Sequence, residues 1–121
     1  MKNILIIDDD SRNIFALSAV LKAKGFATLA ASGMKEAFAL LNEHVTVCVI
    51  LIDMMMPEMD GYEAIPLLKN SPQYKHIPVF AVTAQAMAGD KEKCLATGAD
   101  EYISKPIDVD QLWSALNSHL K

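Results

Sequence analysis

Carboxylates gather at the ends of two apolar runs. Asp8–Asp10 come directly after the run Ile4–Ile7, and an isolated carboxylate, Asp53, follows the run Val45–Ile52. Neighbouring carboxylates disfavour simultaneous ionisation unless a cation joins them. Mg²⁺ suits such a site, because it takes one or two carboxylates, keeps several waters and bridges to phosphate oxygens. These acids are therefore candidates for a metal site that handles phosphoryl groups.

A hydroxyl and an ammonium group follow two further strand-like segments. Thr83 comes after Val79–Val82, and Lys105 comes after Glu101–Ser104. A lysine and a metal ion together offset the negative charge on phosphoryl oxygens. Taken singly, each residue has a simpler interpretation, since strand ends commonly carry turn-forming or helix-capping polar residues. Their occurrence after four separate segments favours a shared site.

The acids divide into different roles. An aspartate carboxylate can itself attack phosphorus and become an aspartyl phosphate. Asp53 stands alone, whereas Asp8 and Asp9 are adjacent, as a metal-holding pair should be, so we predict Asp53 as the phosphoryl acceptor. The backbone carbonyl of Met55 is a candidate further ligand. Asp10 is predicted to start the following helix, where the helix dipole favours an acid.

The elements that position this site alternate between short apolar runs and amphipathic stretches. Continuous β-branched runs are typical of strands covered on both faces. Strands are predicted at Ile4–Ile7, Ala27–Ala31, Val45–Ile52, Val79–Val82 and Glu101–Ser104. Apolar residues at helical spacing predict five helices, which carry Ile14, Leu17 and Leu21; Met34, Ala37, Phe38 and Leu41; Gly61, Ala64, Ile65 and Leu68; the segment Met87–Ala96; and Val109, Leu112, Leu116 and Leu120.

Five strand–helix units predict a single α/β domain over residues 1–121, with a doubly wound parallel sheet and helices on both faces. In such sheets ligands bind beyond the carboxyl ends of the strands, where the acids fall. Pro66 lies inside the third helix and removes one backbone hydrogen bond, so we expect an irregular first turn or a kink. Asp108 is placed to cap the last helix.

Composition narrows the class of protein. The 121 residues are 52% hydrophobic and 21% charged, with a net charge of −4 and 11 scattered basic residues. That balance argues against binding of nucleic acid or an anionic membrane. No apolar stretch is long enough to insert across a membrane. Cys48 and Cys94 lack metal-ligand spacing and are expected to be buried reduced thiols, and a cytoplasmic location follows as the expectation.

Four segments together resemble the receiver domains of two-component response regulators. They are IIDDDSRN in the 4–13 region, LIDMMMPEMDGYE at 51–63, FAVTA at 80–84 and YISKPI at 102–107. The stretch from Ala81 to Pro106 is especially similar to stand-alone receivers and to receivers attached to hybrid histidine kinases. The resemblance implies a flavodoxin-like (βα)5 fold with strand order 2-1-3-4-5.

By motif position, the resemblance implies that Asp8, Asp9, Asp53 and the Met55 carbonyl hold Mg²⁺. Asp53 would take a phosphoryl group from a phosphohistidine on a histidine kinase or histidine phosphotransfer protein. The chain would then be a signalling phosphoacceptor that catalyses only its own phosphorylation and dephosphorylation. It would act on a downstream protein partner, as a monomer or a weak phosphorylation-dependent dimer.

The resemblance also implies a switch. Thr83 would bond the phosphoryl group and move inward, Lys105 would pair with it, and Tyr102 would turn inward behind Thr83. Lys105–Pro106 would be a cis peptide. Met55 and Gln85 occupy positions of the kind that tune the dephosphorylation rate. The surface that changes would be the fourth helix, fifth strand and fifth helix.

Two functions of other classes stay open at this point. A small phosphatase of the haloacid-dehalogenase type also uses an Asp nucleophile and Mg²⁺. It requires an acid two residues after the nucleophile, where this chain has Met55, and it requires a cap or a longer chain. A flavodoxin-like cofactor binder requires a phosphate-cradling first loop, which acids replace here. Turnover of a phosphomonoester, and the colour of the purified protein, distinguish these alternatives.

Overall fold

The computed structural model describes residues 3–43, 46–84 and 89–120 of the chain. Strands and helices alternate through this part of the molecule. The strands are β1 (Asn3–Ile7), β2 (Ala27–Ala31), β3 (Val47–Asp53), β4 (Val79–Thr83) and β5 (Glu101–Ser104). The helices are α1 (Ser11–Ala23), α2 (Met34–Asn42), α3 (Gly61–Lys69), α4 (Asp90–Ala96) and α5 (Val109–His119).

The five strands form one parallel sheet in the order β2-β1-β3-β4-β5. Two apolar cores cover its faces. One core packs α2, α3 and α4 against the sheet, with Leu41, Ile65 and Cys94 among its members. The other packs α1 and α5 on the opposite face, with Leu21 and Leu116 among its members. The predicted flavodoxin-like α/β fold and its strand order are confirmed.

The strand bounds differ slightly from the sequence prediction at the edge that carries the chemistry. Asp53 and Thr83 are the last residues of β3 and β4, whereas the apolar runs predicted strands that end one residue earlier. Parallel pairing continues through these positions, since Asp53 pairs with Val82 and Thr83 pairs with Ser104. Backbone pairing, not hydrophobicity, therefore sets where these strands end.

Two predicted segments reach beyond the described residues. Val45, which the sequence placed in the third strand, and Met87, which it placed in the fourth helix, lie outside them. Within the described part, β3 begins at Val47 and α4 at Asp90.

Side-chain caps start three helices. Asp10 precedes α1 and accepts a hydrogen bond from the backbone N–H of Arg12 at 3.0 Å. Asp60 accepts from Glu63 N–H before α3, and Asp108 accepts from Asp110 N–H before α5, at 3.0 and 2.9 Å. Such caps satisfy N–H groups that have no partner within the helix. Asp10 is therefore the N-cap of α1.

The helix that contains Pro66 is continuous. Its first turn is regular, because Ala64 N–H donates to Asp60 O at 3.0 Å, and Pro66 O accepts from Asn70 N–H at 2.9 Å. The predicted irregular first turn is therefore wrong, and the kink stays a prediction. Two burial expectations also need correction: Val109 is exposed because it opens α5 at the surface, and Cys48 is only half-buried.

Candidate functional site

Three carboxylates meet at the carboxyl edge of the sheet. Asp8 and Asp9 follow β1, and Asp53 ends the neighbouring strand β3, so parallel pairing of Ile7 with Ile52 brings the acids together. One oxygen from each of the three lies within 4.8 Å of the others. Asp8 and Asp53 are buried, at 2% and 6% exposure, while Asp9 faces solvent. The cluster is thus open on one side.

Lys105 supplies a cation to this cluster from the other end of the sequence. Its Nζ lies 3.2 Å from Asp8 Oδ2 and 3.4 Å from Asp53 Oδ2. Its backbone N–H donates to Thr83 O at 2.8 Å, which ties the residue to the end of β4, and its peptide bond to Pro106 is cis. Burial works against the charged ammonium, but Asp53 and Asp8 outweigh burial and raise the pKa of Lys105.

The surroundings of Asp53 favour the protonated form of its carboxyl group. Burial is the main cause that raises its pKa, and the charge of Asp8 adds to it. The Met55 N–H, which donates to Asp53 Oδ1 at 3.0 Å, and the Lys105 ammonium act in the opposite direction. The net effect is a raised pKa, because burial and the charge of Asp8 together outweigh the Met55 N–H and the Lys105 ammonium.

Asp8 has fixed partners that sequence reasoning missed. The Asn13 side chain on α1 donates from Nδ2 to Asp8 Oδ2 at 2.5 Å, and the Asp10 N–H donates to Asp8 Oδ1 at 2.8 Å. Asn13 lies in the first turn of the helix that follows the acids. This position could have identified Asn13 from the sequence as a partner of Asp8, because the first turn of α1 faces the carboxyl end of β1.

The loop after Asp53 is closely packed. Met54 is fully buried, and the first residue of α3, Gly61, donates its N–H to Met54 O at 3.3 Å. A Cβ at Gly61 would overlap the Met54 side chain and lie 2.9 Å from Met54 Cα. Met55 itself is exposed at the mouth of the site. Glycine at this position therefore lets α3 begin close beneath the site.

Thr83 and Tyr102 belong to neighbouring strands. Thr83 is fully buried at the end of β4, one strand from Asp53. The hydroxyl of Tyr102 donates to Asp90 Oδ2 at 2.8 Å. The structure therefore brings Asp8, Asp9, Asp53 and Lys105 into one cluster, and it pairs the Tyr102 hydroxyl with a different carboxylate, Asp90. Gln85 lies outside the described residues.

The donor set fits a hard divalent cation. Three carboxylates offer oxygen ligands, two of them buried, and among residues 3–43, 46–84 and 89–120 the ammonium of Lys105 is the one that pairs with them. Mg²⁺ prefers such ligands and retains waters on its open side. Asp8, Asp9 and Asp53 are the residues of the described part that could hold it.

A family comparison decides the class of the protein. The sequence model of the response regulator receiver domain matches residues 4–117. The chain belongs to the response regulator receiver domain family. Receiver domains of two-component systems are signalling phosphoacceptors that interact with histidine kinases and downstream proteins. The receiver assignment agrees with the strand order and with the position of the acids at the sheet edge.

Relatives of this receiver domain support the assignment. The polar-differentiation response regulator DivK of Brucella ovis is 37% identical over 119 residues, 98% of this chain and 96% of the relative. The signal receiver domain of a histidine kinase from Syntrophus aciditrophicus is 32% identical with a TM-score of 0.87, covering 98% and 89% of the two chains. The receiver domain of sensor histidine kinase PA1611 from Pseudomonas aeruginosa, solved with a magnesium ion in its active site cleft, is 27% identical with a TM-score of 0.85, covering 98% and 96%.

Among residues 3–43, 46–84 and 89–120, none forms a helix long and apolar enough to cross a bilayer.

Proposed function

We propose that residues 1–121 form a single receiver domain in which Asp53 accepts a phosphoryl group from a phosphohistidine on a histidine kinase or histidine phosphotransfer protein. The observation that carries the proposal is the position of Lys105 Nζ, 3.4 Å from Asp53 Oδ2 and 3.2 Å from Asp8 Oδ2. A cation at that place stabilises a group that gains negative charge, such as a phosphorylated carboxylate. Lys105 contacts both buried acids, and Asp53 is the one that stands alone at the end of its strand.

The metal ligands in this proposal are Asp8, Asp9, Asp53 and the backbone carbonyl of Met55. When bound, Mg²⁺ neutralises charge on the phosphoryl oxygens and on the carboxylates. Asn13 and Lys105 both donate to Asp8 Oδ2, and the Asp10 N–H donates to Oδ1, so both oxygens of Asp8 are held in orientation. Rigid support of this kind lowers the cost of positioning the reacting groups.

Transfer uses the carboxylate of Asp53 as nucleophile. An oxygen of Asp53 forms a bond to phosphorus, the bond from phosphorus to the donor histidine nitrogen breaks, and that nitrogen keeps the bonding electron pair. The Met55 N–H holds Oδ1, and the Lys105 ammonium is near Oδ2. Lys105 then remains close to the new phosphoryl oxygens and stabilises their charge.

The phosphoryl group changes the surface through Thr83 and Tyr102. It adds negative charge beside the end of β4, where the Thr83 hydroxyl can donate to it. Thr83 moves inward, Tyr102 follows, and α4, β5 and α5 present a different face to a downstream protein. The domain catalyses only its own phosphorylation and dephosphorylation, acts in the cytoplasm, and is a monomer or a weak phosphorylation-dependent dimer.

A small phosphodonor tests the acceptor. The purified protein is incubated with acetyl phosphate, with and without Mg²⁺, and its intact mass is measured. We expect wild-type protein to gain one phosphoryl group only with Mg²⁺, and Asp53→Asn to gain none. The proposal fails if wild type gains no adduct or if Asp53→Asn gains it equally.

A further inference from the structure

Asp90 is a buried carboxylate that lies outside the acidic cluster. It is the first residue of α4, and 4% of its surface is exposed. The Tyr62 hydroxyl, on α3, donates to its Oδ1 at 3.0 Å. The Tyr102 hydroxyl, on β5, donates to its Oδ2 at 2.8 Å. Each oxygen of one carboxylate therefore holds a tyrosine from a different element.

The chemistry of this cluster makes both tyrosines donors. An ionised carboxylate only accepts hydrogen bonds, and its burial is costly unless its oxygens are bonded. Burial, followed by the hydrogen bond to Asp90, raises the pKa of Tyr102 to about 12, and the same causes raise the pKa of Tyr62. Both hydroxyls thus keep their protons at neutral pH. Hydrogen bonds to a charged acceptor are stronger than those between neutral groups.

Further contacts fix the Tyr62 side of the cluster. Cys94 Sγ, one turn along α4, lies 3.9 Å from the Tyr62 hydroxyl and 4.0 Å from Asp90 Oδ1. Lys93 Nζ lies 5.9 Å from the centroid of the Tyr62 ring, within the range of a cation–π interaction. The Tyr62 hydroxyl is therefore held by the first turns of α4.

Tyr102 joins this cluster to the site. Its backbone pairs with Ala81 in β4, two residues before Thr83, and its ring packs on the core of α2, α3 and α4. A rotation that carries the Tyr102 hydroxyl elsewhere must either break its bond to Asp90 or move the carboxylate. Either event changes the position or the charge density of Asp90 Oδ1, which accepts the hydrogen bond from the Tyr62 hydroxyl.

We propose that Asp90 is a positioning residue that couples Tyr102 to Tyr62, so that reorientation of Tyr102 is transmitted to α3. The surface that responds to phosphorylation then extends beyond α4, β5 and α5 to the exposed side of α3. This inference rests on the proposed function, in which Tyr102 is the switch.

Fluorine NMR tests the coupling with an internal control. The chain has three tyrosines, and the third, Tyr74, donates its hydroxyl to Asn42 at the end of α2. Fluorotyrosine labelling gives one resonance for each, assigned by single Tyr→Phe variants. With Mg²⁺ and beryllofluoride as a phosphoryl mimic, we expect the Tyr102 and Tyr62 resonances to shift and the Tyr74 resonance to stay.

The Asp90→Asn variant separates coupling from simple packing. An amide replaces one acceptor oxygen with a donor, so it cannot accept from both tyrosines in the same way. We expect beryllofluoride still to shift Tyr102, while the Tyr62 shift falls to less than about half. The inference is overturned if Tyr62 shifts equally in Asp90→Asn, or if Tyr62 is silent in wild type while Tyr102 shifts.

A double-mutant cycle tests the same link without a phosphoryl mimic. Tyr62→Phe and Tyr102→Phe are combined, and the unfolding equilibrium constants are compared. Residues that share a hydrogen-bonded partner are non-additive, so we expect the double variant to differ from the product of the singles by about threefold or more. Additivity overturns the inference. If beryllofluoride shifts no resonance and Asp53 gains no phosphoryl group, the proposed function fails, and the cycle alone decides the role of Asp90.

Discussion

Lys105 Nζ lies 3.4 Å from Asp53 Oδ2, although Asp53 ends β3 and Lys105 follows β5, with β4 between them. The same Nζ lies 3.2 Å from Asp8 Oδ2, on the far side of β3. The Lys105 side chain thus reaches from the end of β5, past β4, to acids at the ends of β3 and β1. Its removal leaves two buried carboxylates facing each other, which makes it the most informative residue of the site to change.

Lys105→Met is expected to lower the free energy of unfolding by about 1–3 kcal/mol in the absence of divalent ions. The value is below the range for a wholly buried pair, because the Lys105 side chain is partly exposed. Urea unfolding measures the change, with Lys105→Arg as the control that retains the charge. Equal loss in both variants would show that shape, not charge, is responsible.

Asp53→Asn is expected to stabilise the protein near neutral pH. The raised pKa of Asp53 means that the folded state binds its proton more tightly than the unfolded state does. The free energy of unfolding therefore falls as pH rises from the pKa of Asp53 in the unfolded state to its pKa in the folded state. Above the folded-state pKa the loss is complete. Asparagine does not ionise and escapes this loss.

Urea midpoints of wild type and Asp53→Asn, measured in a chelator from acidic to neutral pH, test the sign. The advantage of the variant should be small at acid pH and grow as pH rises. An advantage that is constant with pH, or one that shrinks, contradicts the assigned cause.

Mg²⁺ is expected to stabilise the folded protein. A ligand present at ten times its Kd and bound only by the folded state adds about 1.4 kcal/mol. Thermal melts with increasing Mg²⁺ measure the effect. Asp8→Asn should abolish most of it, because Asp8 is a buried member of the cluster.

The neighbouring acid provides the matched control for this titration. Asp10→Asn should retain the Mg²⁺ response, since Asp10 caps α1 and asparagine caps helices nearly as well. A response that survives in Asp8→Asn, or that disappears equally in Asp10→Asn, would remove Asp8 from the ligand set.

Gly61→Ala is expected to lower stability by about 1–3 kcal/mol, because the new methyl group overlaps the buried Met54 side chain. The substitution also shifts the loop that follows Asp53, so acetyl phosphate labelling should slow. Gly33→Ala is the control, since Gly33 lies at the start of α2 as its N-cap, and its added Cβ has no neighbour within 4 Å. Chemical denaturation of both variants gives the comparison, and equal losses would contradict the steric argument.

Much of the fold could be predicted because burial on both faces selects long β-branched runs. VCVILI in β3 is the clearest case, and even the weaker ATLAA run became β2 with its predicted bounds. The end of β3 was less predictable, since parallel pairing with β4 carries the strand through a charged residue, Asp53. Hydrophobicity does not report that pairing.

The contacts within the site depend on residues far apart in sequence. Lys105 and Asp8 are separated by 97 positions, and their ion pair follows from sheet order, which the family resemblance supplied. Asp90 was not predicted, because an acid in the first turn of a helix usually faces solvent. Its burial depends on how α3 and β5 place two tyrosine hydroxyls against α4.

Phosphoryl transfer from a phosphohistidine tests the central claim most directly. A radiolabelled histidine phosphotransfer protein is mixed with wild type, Asp53→Asn and Asp60→Asn in the presence of Mg²⁺, and label on the receiver is followed with time. Asp60 is the control because it caps α3 beyond the same loop. We predict label on wild type and Asp60→Asn and none on Asp53→Asn. Label that reaches Asp53→Asn at the wild-type rate would contradict the account.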